Sequence, residues 1–126
     1  MRDTTITRAT DCRTVLLAED EDAIRCLLSA LLRTQGYQVL EASDGRTAVQ
    51  VAALHDGPID LLLSDVMMPG LTGPEVFVRL MPDHPEMKAL FISGLPDGFL
   101  ACDPVFLRKP FAPAELLDKV SEILCA

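Results

Sequence analysis

The chain has 126 residues, 49% hydrophobic and 24% charged, with a formal net charge of -8, which suits one domain around one core. That acidic balance argues against direct nucleic-acid binding, which needs clustered Lys and Arg, and favours cations or basic partner surfaces. No apolar run approaches the roughly 20 residues of a membrane span, and the polar lead-in of residues 1–13 lacks the apolar stretch of a signal peptide, so the expectation is a cytoplasmic protein.

Residues 14–126 read as one domain in which strands and helices alternate. Thr14 to Ala18 is a buried strand. Ala23, Ile24, Leu27, Leu28, Leu31 and Leu32 recur at helical spacing, and Gly36 ends that helix. Tyr37 to Glu41 is a second strand. Asp44 is placed to cap a helix carrying Ala48, Val49, Val51, Ala52 and Leu54, which Gly57 and Pro58 break. Ile59 to Ser64 is a third strand, stopped by the turn at Pro69 and Gly70. Gly73-Pro74-Glu75 opens a third helix, with Val76, Phe77, Leu80 and Met81 facing inward. Lys88 to Ser93 and Pro104 to Leu107 are the fourth and fifth strands. A last helix runs from Pro113 to Leu124.

Strict alternation of this kind predicts an α/β fold, a mostly parallel sheet with helices on both faces. Between strands four and five only Gly94 to Asp103 is available for a crossover, and it contains Pro96 and Gly98. A parallel crossover usually takes a dozen or more residues, so the helix there is expected to be shortened or absent. The cysteines at 12, 26, 102 and 125 form no C-x-x-C pair and read as small hydrophobes in a reducing compartment, with Cys26 on the apolar side of its helix.

The carboxyl ends of parallel strands share one edge, where such sheets place ligands. Glu19 and Asp20 end strand one, Asp65 follows strand three, Ser93 ends strand four, and Lys109 follows strand five. Taken singly, each has an ordinary explanation as a helix cap, a turn former or a solvated charge; their common edge does not. Three adjacent carboxylates repel one another unless a cation joins them. Mg²⁺ fits best, because it accepts one or two carboxylates and pairs with phosphoryl oxygens. Lys109 and Ser93 would complete a site for a group with several anionic oxygens. Asp65 is then a candidate phosphoryl acceptor, since such transfer needs mainly positioning and charge neutralisation.

Four motifs in this order, Leu-Leu-Ala-Glu19-Asp20-Glu, Leu-Leu-Ser-Asp65-Val-Met-Met-Pro-Gly, Phe-Ile-Ser93-Gly and Leu-Arg-Lys109-Pro110-Phe, make the chain resemble the receiver domains of bacterial two-component response regulators. The resemblance covers about Thr14 to Leu124. It implies a doubly wound, flavodoxin-like, five-stranded parallel sheet of order 2-1-3-4-5; a chemotaxis member of that family is a standing example of this order. It implies Asp65 as phosphoacceptor, Lys109 and Ser93 as partners of the phosphoryl group, and Mg²⁺ held by Glu19, Asp20, Asp65 and the backbone carbonyl of Met67. Phe106 matches the aromatic that changes rotamer as Ser93 moves inward. A cis peptide between Lys109 and Pro110 is frequent in the family.

The partners implied are a histidine kinase or histidine phosphotransfer protein and an unnamed downstream protein, with no direct nucleic acid and no membrane. The chain is expected to catalyse only its own phosphorylation and dephosphorylation. Met67 and Leu95, two residues past Asp65 and Ser93, are apolar where polar side chains often orient an attacking water, so slow self-dephosphorylation is expected. Two alternatives stand beside the main expectation: a receiver-like interaction module that takes no phosphate, and the receiver portion of a hybrid sensor kinase. A flavin or nucleotide enzyme is disfavoured by the lack of G-x-G-x-x-G and G-x-x-x-x-G-K-[ST] motifs.

Overall fold

The structure is a computed structural model and describes residues 13–94 and 106–125. Five parallel strands form one sheet in the order β2-β1-β3-β4-β5. They are β1 (Thr14–Ala18), β2 (Gln38–Ala42), β3 (Leu61–Asp65), β4 (Lys88–Ser93) and β5 (Phe106–Arg108). The helices among the described residues are α1 (Asp22–Thr34), α2 (Gly45–Leu54), α3 (Gly73–Leu80) and α4 (Pro113–Cys125). The strand order is the one expected. The crossover between β4 and β5 lies outside the described residues.

β1 and β3 are buried along their whole length, as central strands covered on both faces must be. Successive side chains point to opposite faces, so the sheet divides the apolar residues into two cores. Leu16, Ala18, Leu62 and Phe91 pack with Ala48 and Ala52 of α2 and Val76 and Leu80 of α3. Val15, Leu17, Leu61, Leu63, Leu90 and Ile92 pack with Leu28 and Leu32 of α1 and Leu116, Val120 and Leu124 of α4.

Local chemistry sets the element ends. Asp44 caps α2, its Oδ1 accepting from the Thr47 N–H at 2.7 Å. At α3 a reciprocal box forms: Thr72 Oγ1 accepts from the Glu75 N–H (3.2 Å), and Glu75 Oε1 accepts from the Thr72 N–H (2.8 Å). The far end of α4 is held from outside: Arg13 Nη1 donates to Leu124 O (2.6 Å) and Lys88 Nζ to Ile123 O (3.1 Å). These cations meet the negative end of the helix dipole.

Several details differ from the sequence expectation. β2 starts and ends one residue later, and β3 is Leu61–Asp65, so Asp65 is its last paired residue. β5 extends to Arg108. Leu27, Met81 and Leu54 are exposed rather than inward, at 54%, 42% and 87%. Cys26 is exposed as well. Leucine recurs so often in α1 that its apolar stripe is wider than the face the sheet covers, which leaves Leu27 outside.

Candidate functional site

The site is built at the carboxyl edge of β1, β3, β4 and β5. Glu19 follows β1 and is held by its backbone on both sides. Its N–H donates to Ala42 O (3.0 Å), and its carbonyl accepts from Arg25 Nη1 (2.8 Å). Its Oε2 accepts from the Glu21 N–H at 3.0 Å, which turns the side chain back into the sheet edge. The result is a carboxylate only 1% exposed. Asp20, the next residue, is exposed.

Asp65 and Ser93 end β3 and β4 and are each 5% exposed. The Val66 N–H donates to Ile92 O at 2.9 Å, carrying the β3–β4 pairing just past Asp65. Lys109 follows β5, and its N–H donates to Ser93 O at 2.8 Å. That bond aims the side chain back across the edge, and its Nζ reaches 3.1 Å from Asp65 Oδ1. The Lys109–Pro110 peptide is cis. Burial opposes the charge on Lys109, but Asp65 beside it, with Glu19 and Glu21 behind, outweighs this and holds the ammonium above its ordinary range.

Glu19, Asp20 and Asp65 each present an oxygen, and these oxygens lie within 4.8 Å of one another. Glu19 Oε1 and Asp65 Oδ1 are buried without any hydrogen-bond partner; Lys109 meets Asp65 Oδ1 only as an ion pair. Two acceptor oxygens buried together need a proton or a cation between them. Without a cation, burial first of all, then Asp65, pushes the Glu19 carboxyl up to about 8. The all-oxygen donor set, part buried and part open at Asp20, fits a hard divalent ion that keeps some of its water.

The floor under Asp65 is tight. Ser64 Oγ, fully buried, donates to Asp65 O at 2.8 Å. The Gly73 N–H donates to Val66 O at 2.8 Å. A Cβ at Gly73 would collide with Asp65 O and stand 3.0 Å from Ser64 Oγ, so only glycine lets the start of α3 approach this closely. The loop between β3 and α3 turns at Gly70, whose φ of 83° is the left-handed region.

Asp20, Asp65, Met67, Ser93 and Lys109 line one cleft of about 210 Å³ with Ile92 and Gly94. Glu19 lies behind them, against Asp65. Met67 exposes 65% of its surface and gives the cleft an apolar rim. Phe106 is not a lining residue. It is half-buried and stacks at 5.5 Å, tilted by 38°, on Phe91, its neighbour in register. Arg25, Ser64 and Gly73 are site-shaping residues that the sequence reading does not single out. No local pattern in the sequence ties Arg25 to the Glu19 carbonyl.

A family model described as the response regulator receiver domain matches residues 15–121. The chain is 38% identical to the sensor kinase CckA of Brucella abortus, over 94% of this chain but only 14% of that protein. It is 33% identical to the response regulator receiver protein CpdR of the same organism, over 89% of this chain and 97% of that one. Among solved structures it resembles the receiver domain from hybrid histidine kinase CckA, with 39% identity, a TM-score of 0.75, and 88% and 98% of the two chains covered. It also resembles the response regulator protein TrrA of Thermotoga maritima, solved in complex with Mg(2+)-BeF, with 26% identity, a TM-score of 0.73, and 88% and 98% covered. With the fold, the convergent edge and these likenesses together, the chain belongs to the response regulator receiver domain family.

Proposed function

We propose that the chain is a phosphorylation-controlled signalling switch with Asp65 as phosphoacceptor. A carboxylate oxygen of Asp65 attacks the phosphorus of a phosphohistidine on a histidine kinase or histidine phosphotransfer protein. The new O–P bond forms as the P–N bond breaks, and the imidazole leaves and is reprotonated from solvent. Lys109 neutralises one anionic oxygen of the transferred group, and the Ser93 hydroxyl donates to another. Glu19, Asp20, Asp65 and the Met67 carbonyl would hold Mg²⁺, which supplies charge neutralisation as the phosphoryl group arrives. Ser93 and Phe106 form the switch: Ser93 shifts toward the phosphoryl group and Phe106 repacks, biasing one of two packings of the β4–β5 edge. The output is read by a downstream protein, with no direct contact to nucleic acid or membrane. Residues 14–126 act as one receiver domain behind a polar lead-in of residues 1–13, in the cytoplasm, with no reaction beyond the domain's own phosphorylation and dephosphorylation. Among the described residues no helix is long and apolar enough to cross a membrane.

The observation that carries this reading is the pair of buried carboxylate oxygens on Glu19 and Asp65, the first without a hydrogen-bond partner and the second paired with the Lys109 ammonium at 3.1 Å. The test is intact mass after incubation with Mg²⁺ and acetyl phosphate or phosphoramidate, beside an Asp65→Asn variant. The expected result is one phosphoryl group on the parent and none on the variant. A gain on both would remove Asp65 from the role. No gain on the parent from either donor would favour an interaction module that takes no phosphate. The likeness to CckA, of which this chain spans 14%, supports a second reading of context, as the receiver portion of a hybrid sensor kinase.

A further inference from the structure

Arg25 stands in the first turns of α1, away from the cleft-lining residues, and its side chain is 17% exposed. Its three nitrogens reach three places. Nη1 donates to the Glu19 carbonyl at 2.8 Å, and Nη2 meets Asp22 Oδ1 at 2.6 Å. Nε lies 3.8 Å from Glu41 Oε1 on β2. Glu41 is held in turn by Ser29 Oγ at 3.0 Å and Arg33 Nη2 at 3.3 Å, both on its other oxygen. The Glu19 backbone is thus held at both of its polar groups, its N–H by β2 through Ala42 O and its carbonyl by α1 through Arg25.

We infer that Arg25 is a positioning residue for the metal-binding acidic pair: its fork fixes the Glu19 carbonyl, and through it the point from which the Glu19 and Asp20 side chains depart. This rests on the reading of Glu19 and Asp20 as Mg²⁺ ligands. Charge alone predicts the opposite of what positioning predicts. A positive charge on the acidic side of the sheet edge can only repel an incoming cation, so a purely electrostatic Arg25 would weaken Mg²⁺ binding. The planar fork does what a point charge cannot, because it spans a carbonyl and two carboxylates at once. Groups that orient metal ligands from behind commonly matter 10- to 100-fold in affinity. Sign therefore separates the two roles.

The experiment titrates Mg²⁺ into the full chain and into Arg25→Ala and Arg25→Lys, following the amide resonances of Asp20 and Asp65 by NMR. The amide of Leu90, inside β4, reports the fold. Phosphorylation by phosphoramidate is measured at limiting and at saturating Mg²⁺. The expected result is Mg²⁺ binding weakened about 10-fold by Arg25→Ala and, to a smaller extent, by Arg25→Lys, although the latter keeps its charge. At saturating Mg²⁺ both variants should regain the parent's phosphorylation rate, a split that general destabilisation does not produce. Where Arg25→Ala fails to fold, Arg25→Lys decides. Equal or tighter Mg²⁺ binding by the folded variants would overturn the inference while leaving the site intact. No Mg²⁺ response in the parent would overturn the metal site itself, and the inference with it.

Discussion

At the scale of single residues, Gly73 governs where Asp65 can sit. A methyl group there would meet Asp65 O, Ser64 Oγ and, at 3.1 Å, the Phe91 ring. None of these is the loose end of a flexible side chain. Gly73→Ala is therefore expected to cost about 1–3 kcal/mol by overpacking, read from urea unfolding, and to lower the rate of phosphorylation as Asp65 is displaced. A smaller cost with unchanged rate would mean that α3 slides to make room. Met67 acts in the opposite way, by what it lacks. Its exposed side chain at the cleft edge offers no polar atom to hold a water for attack on the acyl phosphate. Met67→Asn should shorten the lifetime of the phosphorylated form in buffer with Mg²⁺, measured by loss of the phosphorylated mass; an unchanged or longer lifetime would refute that role.

At the scale of elements, α3 is the one that seats the Asp65 floor, and its start depends on the Thr72–Glu75 box. Thr72→Ala removes one half of that box and should destabilise the protein by about 1 kcal/mol, seen as a lower urea midpoint with an unchanged slope. Element order is legible in the sequence because apolar runs and helical spacing alternate without interruption. Strand ends are less so. In β3 both faces are buried, so the apolar run shows no alternation to mark where pairing begins, and Ile59 and Asp60 read as strand although pairing starts at Leu61. Asp60 Oδ2 instead accepts from the Thr14 N–H at 2.7 Å at the amino end of the sheet, whereas Asp65 faces Ile92 in register. Leu54 reads as core because it continues the stripe of α2, yet it lies in the last turn and is left bare. Glu19, Asp20, Asp65, Ser93 and Lys109 can be located from sequence because each adjoins a strand end. Arg25, Ser64 and Gly73 cannot, because their importance lies in the backbone atoms they touch.

For the molecule as a whole, the acidic pocket links stability to pH and to metal. Burial and Asp65 push the Glu19 carboxyl up to about 8, from an ordinary 4.5. A carboxyl raised in the folded state contributes stability below its unfolded value and loses it as pH rises through the folded one. With a chelator present, melting temperature should fall between pH 5.5 and pH 8, and Glu19→Gln should flatten that fall. Mg²⁺ should restore more stability at pH 8 than at pH 5.5, since it binds the ionised pair; a parent profile no steeper than that of Glu19→Gln would refute the linkage. Asp44 and Glu75 do not distort this window. Backbone N–H groups of Thr47 and Thr72 hold them below the ordinary carboxylate range, so their contribution is present above that range and is lost only as pH falls through it.

The division into two cores has a consequence for how this chain can change in length. One core is assembled from small and irregular shapes, with Ala18, Ala42, Ala48, Ala52, Met68 and Phe91. The other is almost wholly Leu, Val and Ile. Adding one residue within β1 or β3 would send every following side chain of that strand to the wrong side. Leu17 would be forced among alanines and Ala18 among leucines, overfilling one core while emptying the other. Insertions and deletions are therefore excluded from strands that, being apolar throughout, look indifferent to register, and variation in length is confined to the connections between them.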